Sequence, residues 1–217
     1  EIFAVEPTKG LFCANILINS AGLCSDKIAA MAGVTGYHIY PCRGEYLILD
    51  KIAQQYLRLP VYPAPAAGIG GLGVHLTPTI HGNIIVGPSN EYIDESDDCA
   101  TTQEVLDKLF REAQMLMPAL QRKDIIGSYS GLRSKQAPPE EGGFRDFTIL
   151  EEPAVPGLID LIGIESPGMT ASMPIAKRVC AMVVEKLRPA ENTAFDPTHK
   201  SVLRFAAEMT AAERLHC

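Results

Sequence analysis

A strand, a glycine turn and a helix follow one another near each end of this chain, and this repeated pattern limits the folds open to it. In the first copy, residues 11–19 are largely apolar and predict a strand, and residues 20–22 predict the turn. Ser25 can cap a short helix, and Gly33 stands where helices commonly end. A unit of this size cannot bury its own apolar face, so the pattern predicts a partner elsewhere in the chain.

The second copy lies toward the C-terminus. Residues 158–164 are an apolar run that predicts a buried strand, and residues 165–170 predict a turn. A long apolar helix should follow as far as Leu187, with Pro174 near its first turn, where proline does least harm. We expect the two copies to pack against each other, although the whole middle of the chain separates them.

The middle of the chain shows the pattern of an antiparallel sheet. Residues 45–50 and 82–87 predict strands, and the prolines and glycines of residues 60–73 exclude regular helix and predict loops. Residues 137–146 are rich in proline, glycine and charge and predict another loop. The fold class expected is therefore α/β plus α+β.

Residues 101–117 form the clearest helix, because apolar residues recur at helical spacing. Thr101 and Glu104 have the spacing of a capping box, and Pro118 should end the helix. Its apolar stripe predicts core packing and no function.

These patterns divide the chain into an α/β domain in two pieces, with a second domain inserted between them. The predicted boundaries are 1–36 and 153–188 for the α/β domain, 37–152 for the inserted domain and 189–217 for a C-terminal linker or tail.

Composition and charge exclude several classes of protein. A formal net charge of −7 gives no basic surface for nucleic acid, and no apolar run reaches the roughly 20 residues that span a bilayer. The first residues lack the features of a signal peptide, and a start without Met in a strand-like run predicts a piece of a longer protein. The 6 cysteines form no C-x-x-C pair and no zinc or iron–sulfur spacing, which predicts reduced and mostly buried thiols, a cytoplasmic protein and no metal site.

Both glycine turns are candidate cofactor sites. Small residues such as Ala21 and Gly22 at the end of a strand let a cofactor approach the backbone closely. Residues 163–170 lead into a helix whose exposed N–H groups suit a phosphate or the electron-rich edge of a reduced flavin. Either turn alone also fits a tight turn that needs glycine, and the presence of both favours a cofactor.

Three polar residues of the middle are candidates for the substrate. Arg43, His75 and Arg133 can clamp an anionic substrate and take a proton from its hydroxyl group. The alternatives are a hydrogen-bonded core histidine and surface ion pairs.

Five segments of the chain resemble segments of a known flavoprotein superfamily and follow one another in the same order as they do there. Residues 19–26, Asn-Ser-Ala-Gly-Leu-Cys-Ser-Asp, and residues 163–176 resemble segments of the D-amino-acid oxidase and glycerol-3-phosphate dehydrogenase superfamily. Residues 41–46, 73–77 and 82–88 are similar to the Pro-x-Arg-Gly-Glu-Tyr, Gly-Val-His-x-Thr and Gly-x-x-x-x-Gly-Pro segments of L-2-hydroxyglutarate oxidases. The resemblance covers roughly residues 1–188.

The resemblance implies a partial FAD-binding, Rossmann-like domain with an inserted antiparallel-sheet substrate domain over the flavin. It implies hydride transfer to FAD from a small anionic hydroxy substrate, of the L-2-hydroxyglutarate or glycerol-3-phosphate kind. Ala21 and Gly22 would line the FAD domain, and His75 is the candidate base. The residues expected to face the flavin are Gly163, Ser166, Gly168, Met169 and Thr170; those on the substrate side are Arg43, His75 and Arg133.

The sequence also departs from the family pattern. The strand, G-x-G-x-x-G and helix that bind the FAD pyrophosphate would precede residue 1, so the chain alone should bind FAD weakly. Residues 68–73 contain a G-x-G-x-x-G string, but prolines stand where its strand should be, which makes it a false match. The family's Gly-x-Arg loop continues with Pro or Ala, whereas Ser134 follows Arg133 here.

The tail, residues 195–213, looks like the linker that in some relatives leads to a cysteine-rich iron–sulfur domain. Such a domain beyond the C-terminus would be the route to an electron acceptor, and the protein would be cytoplasmic or peripheral at a membrane. The alternatives are a non-catalytic binding or assembly module of the same fold and an amine-oxidising relative.

Overall fold

A computed structural model describes residues 2–64, 73–190, 192–196 and 210. The chain divides into two compact units, residues 1–182 and residues 183–217. The second unit begins within the last helix and contains a turn in which the Phe195 N–H donates to the Asn192 carbonyl oxygen at 3.0 Å. The G-x-G-x-x-G string, apart from Gly73, and most of the predicted linker lie outside the described residues.

Ten strands and three α-helices occur in the described residues. The strands are β1 (Phe3–Val5), β2 (Phe12–Ala14), β3 (Leu17–Asn19), β4 (Tyr40–Leu49), β5 (His75–Pro78), β6 (Ile84–Gly87), β7 (Glu91–Tyr92), β8 (Ile125–Lys135), β9 (Thr148–Glu151) and β10 (Leu158–Ile162). The helices are α1 (Ser25–Met31), α2 (Gln103–Leu116) and α3 (Ser172–Leu187). They form a mixed α/β fold, as the sequence predicts.

A three-stranded sheet joins the two ends of the chain. Its order is β3, β10, β9, with β10 parallel to β3 and antiparallel to β9. Asp160 lies opposite Asn19 in the parallel pair, and α1 packs on the same sheet through a core of Ala29, Ile39 and Ile162. The prediction that the two strand–turn–helix units pack together is confirmed. The domain boundaries drawn above remain predictions.

The single strand predicted for residues 11–19 is wrong. The strand is interrupted between β2 and β3, because the two strands have different partners. β2 pairs with β1 in a two-stranded ribbon, whereas β3 pairs with β10 and is anchored by the Leu17 N–H, which donates to the Gly157 carbonyl oxygen at 2.9 Å.

A five-stranded antiparallel sheet forms the middle of the chain. Its order is β5, β6, β4, β7, and β8 runs along the other edge of β4. Successive side chains of a strand point to opposite faces of its sheet. One face, the closed face, packs on α2 and buries Leu47, Leu49, Val86 and Leu109 in the main core.

The other face, here called the open face, carries the alternate residues of the same strands. The pairing of strands places them in rows, with His75 opposite Gly87, Tyr46 opposite Tyr129, and Cys42 opposite Arg133. The residues of the open face used below are His75, Gly44, Tyr46, Tyr129, Gly131 and Arg133.

Three local predictions need correction. α2 begins at Gln103, with Thr102 as its N-cap, and the capping box of Thr101 and Glu104 does not form. The buried carboxylate of Glu45 takes its place: it accepts hydrogen bonds from the Thr102 N–H at 2.8 Å and the Thr102 hydroxyl at 3.1 Å. A tertiary contact therefore overrides the local signal.

Ser25 is the first residue of α1, not its cap, and its hydroxyl is fully buried. Gly33 follows the helix with φ +90°, as a terminal glycine should. The third correction concerns Arg133, expected in a loop flanked by glycine; it lies instead in the strand β8. β8 is rich in serine and glycine and lacks the alternation of apolar and polar residues that predicts a strand, because few of its side chains enter the core.

None of the helices in the part of the chain described is long and apolar enough to cross a membrane. Within the same residues, no cluster of three or more His, Cys, Asp or Glu side chains could hold a metal ion. The prediction of mostly buried thiols is wrong: of the cysteines described, Cys42 is buried, whereas Cys13, Cys24, Cys99 and Cys180 are exposed.

Candidate functional site

Arg133 extends across the open face from β8. Its Nη2 donates to the Ser89 carbonyl oxygen at 2.6 Å, on the far side of β4. The guanidinium passes over Gly44, where an added Cβ would lie only 3.2 Å from Nη2. The Nε of Arg133 is buried and has no hydrogen-bond partner among the described residues. The Nε of Arg43 is in the same position, but Arg133, unlike Arg43, makes no ion pair with a carboxylate among the described residues, which suits the binding of an anion.

Arg43 occupies the neighbouring strand but faces the other way. Its guanidinium makes ion pairs with Asp98 at 2.6 Å, Glu91 at 3.3 Å and Glu45 at 3.4 Å. Burial alone would lower the pKa of Arg43, but the three carboxylates outweigh it and raise the pKa. The side chain is 8% exposed. The geometry therefore favours the ion-pair alternative for Arg43 over a role at the substrate.

A cleft of about 390 Å³ adjoins Arg133. The end of β8 forms one wall, and the turn between β10 and α3 forms the other. Ser166, Gly168, Met169 and Thr170 of that turn line the cleft together with Arg133, as the sequence predicts for one site. Gly168 is required at its position, because an added Cβ would lie 2.5 Å from the Glu165 carbonyl oxygen.

The residues after Arg133 hold this turn in place. The Ser134 hydroxyl donates to the Ile164 carbonyl oxygen at 3.0 Å, and Lys135 Nζ lies 3.1 Å from a carboxylate oxygen of Glu165. Gln136 Nε2 donates to the Ile162 carbonyl oxygen at 2.9 Å. This clasp, residues 134–136, fixes the turn relative to Arg133.

Gly163 serves the clasp rather than the cleft. Its φ is +69°, and an added Cβ would collide with the side chain of Gln136. Only glycine combines this backbone conformation with so close an approach. Gly163 does not line the cleft beside Arg133.

A second, apolar cleft of about 530 Å³ lies between the sheet and α3. Ser20 and Gly22 of the first glycine turn line it, together with Gly168 and the helix residues Ser172, Ile175, Ala176, Val179 and Cys180. The structure thus brings both glycine turns to one place. Ala21 does not line the cleft; its N–H donates to the Asn19 side-chain oxygen at 3.3 Å, which shapes the turn.

His75 stands at the start of β5, on the open face. It lies opposite Gly87, and Gly87 leads through Pro88 to Ser89, the acceptor for Arg133. His75 Nδ1 is 3.2 Å from the Gly73 carbonyl oxygen. If Nδ1 carries the ring hydrogen and donates it to this carbonyl, Nε2 is free to accept a proton. His75 does not line either cleft.

The family model for FAD dependent oxidoreductases, DAO, matches residues 1–182. The chain belongs to this family. The match includes the open face, both glycine turns and both clefts, and it confirms the resemblance and the fold class expected from the sequence.

Two curated relatives carry names of the expected kind. The chain is 30% identical to a glycerol 3-phosphate dehydrogenase of Caloramator mitchellensis over 94% of its own length and 41% of the relative. It is 34% identical to a mitochondrial L-2-hydroxyglutarate dehydrogenase of Arabidopsis thaliana over 76% of its own length and 37% of the relative. The chain therefore spans about two fifths of the length of these relatives.

A solved structure shares the fold. L-alpha-glycerophosphate oxidase from Mycoplasma pneumoniae, determined with FAD bound, superposes with a TM-score of 0.67 over 79% of this chain and 43% of the oxidase. The sequence identity is 24%, so this likeness shows the fold alone.

Sequence reasoning missed two aromatic residues of the open face of this DAO-family chain. Tyr46 and Tyr129 stack with ring centroids 4.9 Å apart and an angle of 3° between the rings. Tyr46 stands in the Arg-Gly-Glu-Tyr segment quoted above. Its position on the face opposite to Arg43, next to Tyr129, is evident only from the pairing of β8 with β4. Burial raises the pKa of both tyrosines, and the charge of Arg133 opposes the rise at Tyr46.

Proposed function

We propose that the protein of which this chain is part oxidises a small anionic hydroxy substrate in a flavin-dependent reaction. The observation that carries the proposal is the position of Arg133. Its guanidinium, which makes no ion pair with a carboxylate among the described residues, lies on the same sheet face as His75 and beside the glycine turn that leads into α3.

The described residues fit the ring end of FAD. Gly168 allows the backbone to turn where a side chain would collide, and Met169 is 92% exposed beside the cleft. Gly22 and Gly168 meet in the apolar cleft in front of α3. The residues that we propose to hold the cofactor are Ala21, Gly22, Gly163, Ser166, Gly168, Met169 and Thr170, with Ala21 and Gly163 acting through the shape of their turns. When bound, FAD supplies the acceptor for the hydrogen on the substrate carbon.

The chain's own residues would perform the remaining steps. Arg133 binds the carboxylate or phosphate of the substrate, because a guanidinium offers two parallel donors to such a group. His75 takes the hydroxyl proton at Nε2, since the contact of Nδ1 with the Gly73 carbonyl oxygen favours that tautomer. Arg43, although on the other face, keeps β4 and the start of α2 in place through its carboxylate partners.

The substrate class includes both L-2-hydroxyglutarate and glycerol 3-phosphate, which appear in the names of the two relatives. The test is anaerobic reduction of the flavin in the full-length protein, followed by absorbance, with each compound and with an amino acid as comparison. Reduction by the amino acid alone would favour an amine-oxidising enzyme. A protein that contains no flavin would favour a binding or assembly module instead.

We also propose that an iron–sulfur domain beyond residue 217 passes the electrons on, and that the protein is cytoplasmic or peripheral at a membrane. The support for a reducing compartment is that Cys13, Cys24, Cys42, Cys99 and Cys180 are all free thiols. Metal analysis and the visible spectrum of the full-length protein test the iron–sulfur proposal.

A further inference from the structure

Two glycines face each other in the centre of the open face. Gly44 of β4 pairs with Gly131 of β8, between the row of Arg133 and the row of the two tyrosines. The guanidinium of Arg133 lies over Gly44, and Gly131 remains bare. An added Cβ at Gly131 would find no atom within 4 Å. A strip of uncovered backbone therefore lies between a cation and a pair of aromatic rings.

The walls of this hollow differ in chemistry. Arg133 and Tyr129 lie on the same side of β8, each two residues from Gly131, which places their Cα atoms about 13 Å apart at about 3.3 Å per residue. Tyr129 is 42% exposed and stacks on Tyr46. Tyr46 in turn lies against Gly87, where an added Cβ would be 2.7 Å from its ring, and Gly87 is the residue opposite His75.

We propose that Gly131 determines substrate size: its bare backbone is the floor on which the body of the substrate lies, between the guanidinium of Arg133 and the Tyr46–Tyr129 pair. The inference rests on the proposed function and adds to it a limit on the size of the substrate. One end of the substrate is anionic and meets Arg133. The other end reaches the phenol groups, which can donate hydrogen bonds to a carboxylate or a hydroxyl.

The hollow favours a short, unbranched substrate. Because Arg133 and Tyr129 are about 13 Å apart along β8 at their Cα atoms, we expect a chain of a few carbons, as in a hydroxy acid with a second carboxylate, to reach from one to the other. Side chains at the floor would compete with such a substrate for the same space. Glycine at this position is not needed by the backbone, because Gly131 is not in the left-handed region. A role in binding explains its presence better than a role in folding.

The chain provides a closely matched control. Gly127 lies on the same strand and the same face as Gly131, on the other side of Tyr129, and its added Cβ would make only an ordinary contact of 3.9 Å with Ile48. Alanine should be tolerated by the fold at both positions, because neither has a positive φ or a close neighbour. Only Gly131→Ala places a methyl group in the hollow.

The experiment compares Gly131→Ala and Gly127→Ala in the full-length protein. We expect Gly131→Ala to lower kcat/KM for L-2-hydroxyglutarate or glycerol 3-phosphate about ten- to hundredfold, the range for one methylene that does not fit a pocket. Flavin content and Tm should stay at the wild-type values, and Gly127→Ala should behave as wild type. Isothermal titration with glutarate, which is not oxidised, should show the same loss of affinity.

Two kinetic results would overturn the inference. A change of less than twofold in kcat/KM for Gly131→Ala would show that the floor does not touch the substrate. Equal losses in both variants would show a general effect on β8. If the wild-type flavin is not reduced by either substrate, the proposed function fails. The glutarate titration then tests the hollow by itself: weaker binding to Gly131→Ala supports it, and unchanged binding overturns it.

Discussion

Arg43 and Arg133 lie on neighbouring strands of one sheet, yet their surroundings differ. On the closed face, Arg43 is surrounded by three carboxylates and almost completely buried. On the open face, Arg133 donates to one backbone oxygen, makes no ion pair with a carboxylate among the described residues, and has a cleft beside it. An arginine whose charge is balanced by carboxylates within the protein stabilises it, whereas one without a carboxylate partner can bind an anion.

One short segment contributes to both faces. In β4, Arg43 and Glu45 point to the closed face and hold α2 and its preceding loop, because Glu45 accepts from the N-cap residue Thr102. The alternate residues Gly44 and Tyr46 shape the open face. In the Arg-Gly-Glu-Tyr sequence, alternate residues therefore serve the packing of the closed face and the site on the open face. Substitutions on the two faces should separate stability from catalysis.

The largest effect is expected at His75. His75→Gln keeps a polar side chain but removes the base, so kcat should fall about a hundred- to ten-thousandfold, with flavin content and Tm unchanged. Stopped-flow reduction of the flavin measures this. His81→Gln, in an exposed turn, is the control. A normal kcat for His75→Gln would show that His75 is not the base and that its role is in packing.

Arg43→Met tests the closed face. Losing the cation leaves the buried carboxylate of Glu45, which is 0% exposed, with hydrogen bonds from Thr102 but no counter-charge from Arg43, so the free energy of unfolding should fall by about 3–5 kcal/mol. Urea unfolding measures the loss. Arg145→Met, which removes an exposed ion pair with Glu141, should cost less than about 1 kcal/mol. A stable Arg43→Met protein that has lost substrate binding would contradict the division between the faces.

Sequence patterns predicted the units with strong periodicity and clear ends. α2 and the final strand–turn–helix were identified because their apolar residues recur at fixed spacing. β8 was missed because its serines and glycines resemble a loop, and its strand conformation comes from the ladder with β4. The start of α2 was misplaced because Glu45, which accepts hydrogen bonds from the N-cap residue Thr102, is distant in sequence.

The site was predictable in part for the same reason. The glycine turns and Arg133 stand out as local signals, and the structure brings Arg133 together with Ser166, Gly168, Met169 and Thr170. The face on which a side chain lies is not a local signal. Arg43 and Arg133 were equivalent candidates until the register between β4 and β8 placed them on opposite sides.

Arg133→Lys sharpens the comparison between the two arginines. Lysine keeps the charge but loses the paired donors, so kcat/KM should fall about one to two decades, mainly through KM, from the loss of about 1.5–3 kcal/mol. Flavin content and Tm should not change. Arg145→Lys is the control. Steady-state kinetics within about twofold of wild type would reassign Arg133 to a structural contact with Ser89.

The smallest effect concerns a buried carboxyl that, unlike Glu45, has no arginine beside it. Asp160, which is 0% exposed, accepts a hydrogen bond from Asn19 at 2.7 Å. Its other oxygen has no partner among the described residues, unless a proton on Asp160 is donated to Glu152. Burial, aided by Glu152, raises the pKa of Asp160 to about 6.

The sign of the resulting pH dependence follows from this shift. Between the unfolded pKa, about 3.9, and the folded pKa of about 6, the folded state binds more protons, so stability is present at low pH and is lost as pH rises through 6. Two pKa units set a limit of about 3 kcal/mol, and relaxation around the charge should reduce the loss to about 1–2 kcal/mol. Asp160→Asn imitates the protonated form and should remove this component. Urea unfolding at pH 5 and pH 8 measures it, with Asp107→Asn, a surface carboxylate paired with Arg122, as the control. Equal pH dependence in wild type and Asp160→Asn would show that Asp160 is ionised throughout and that a buried carboxylate here needs no cation.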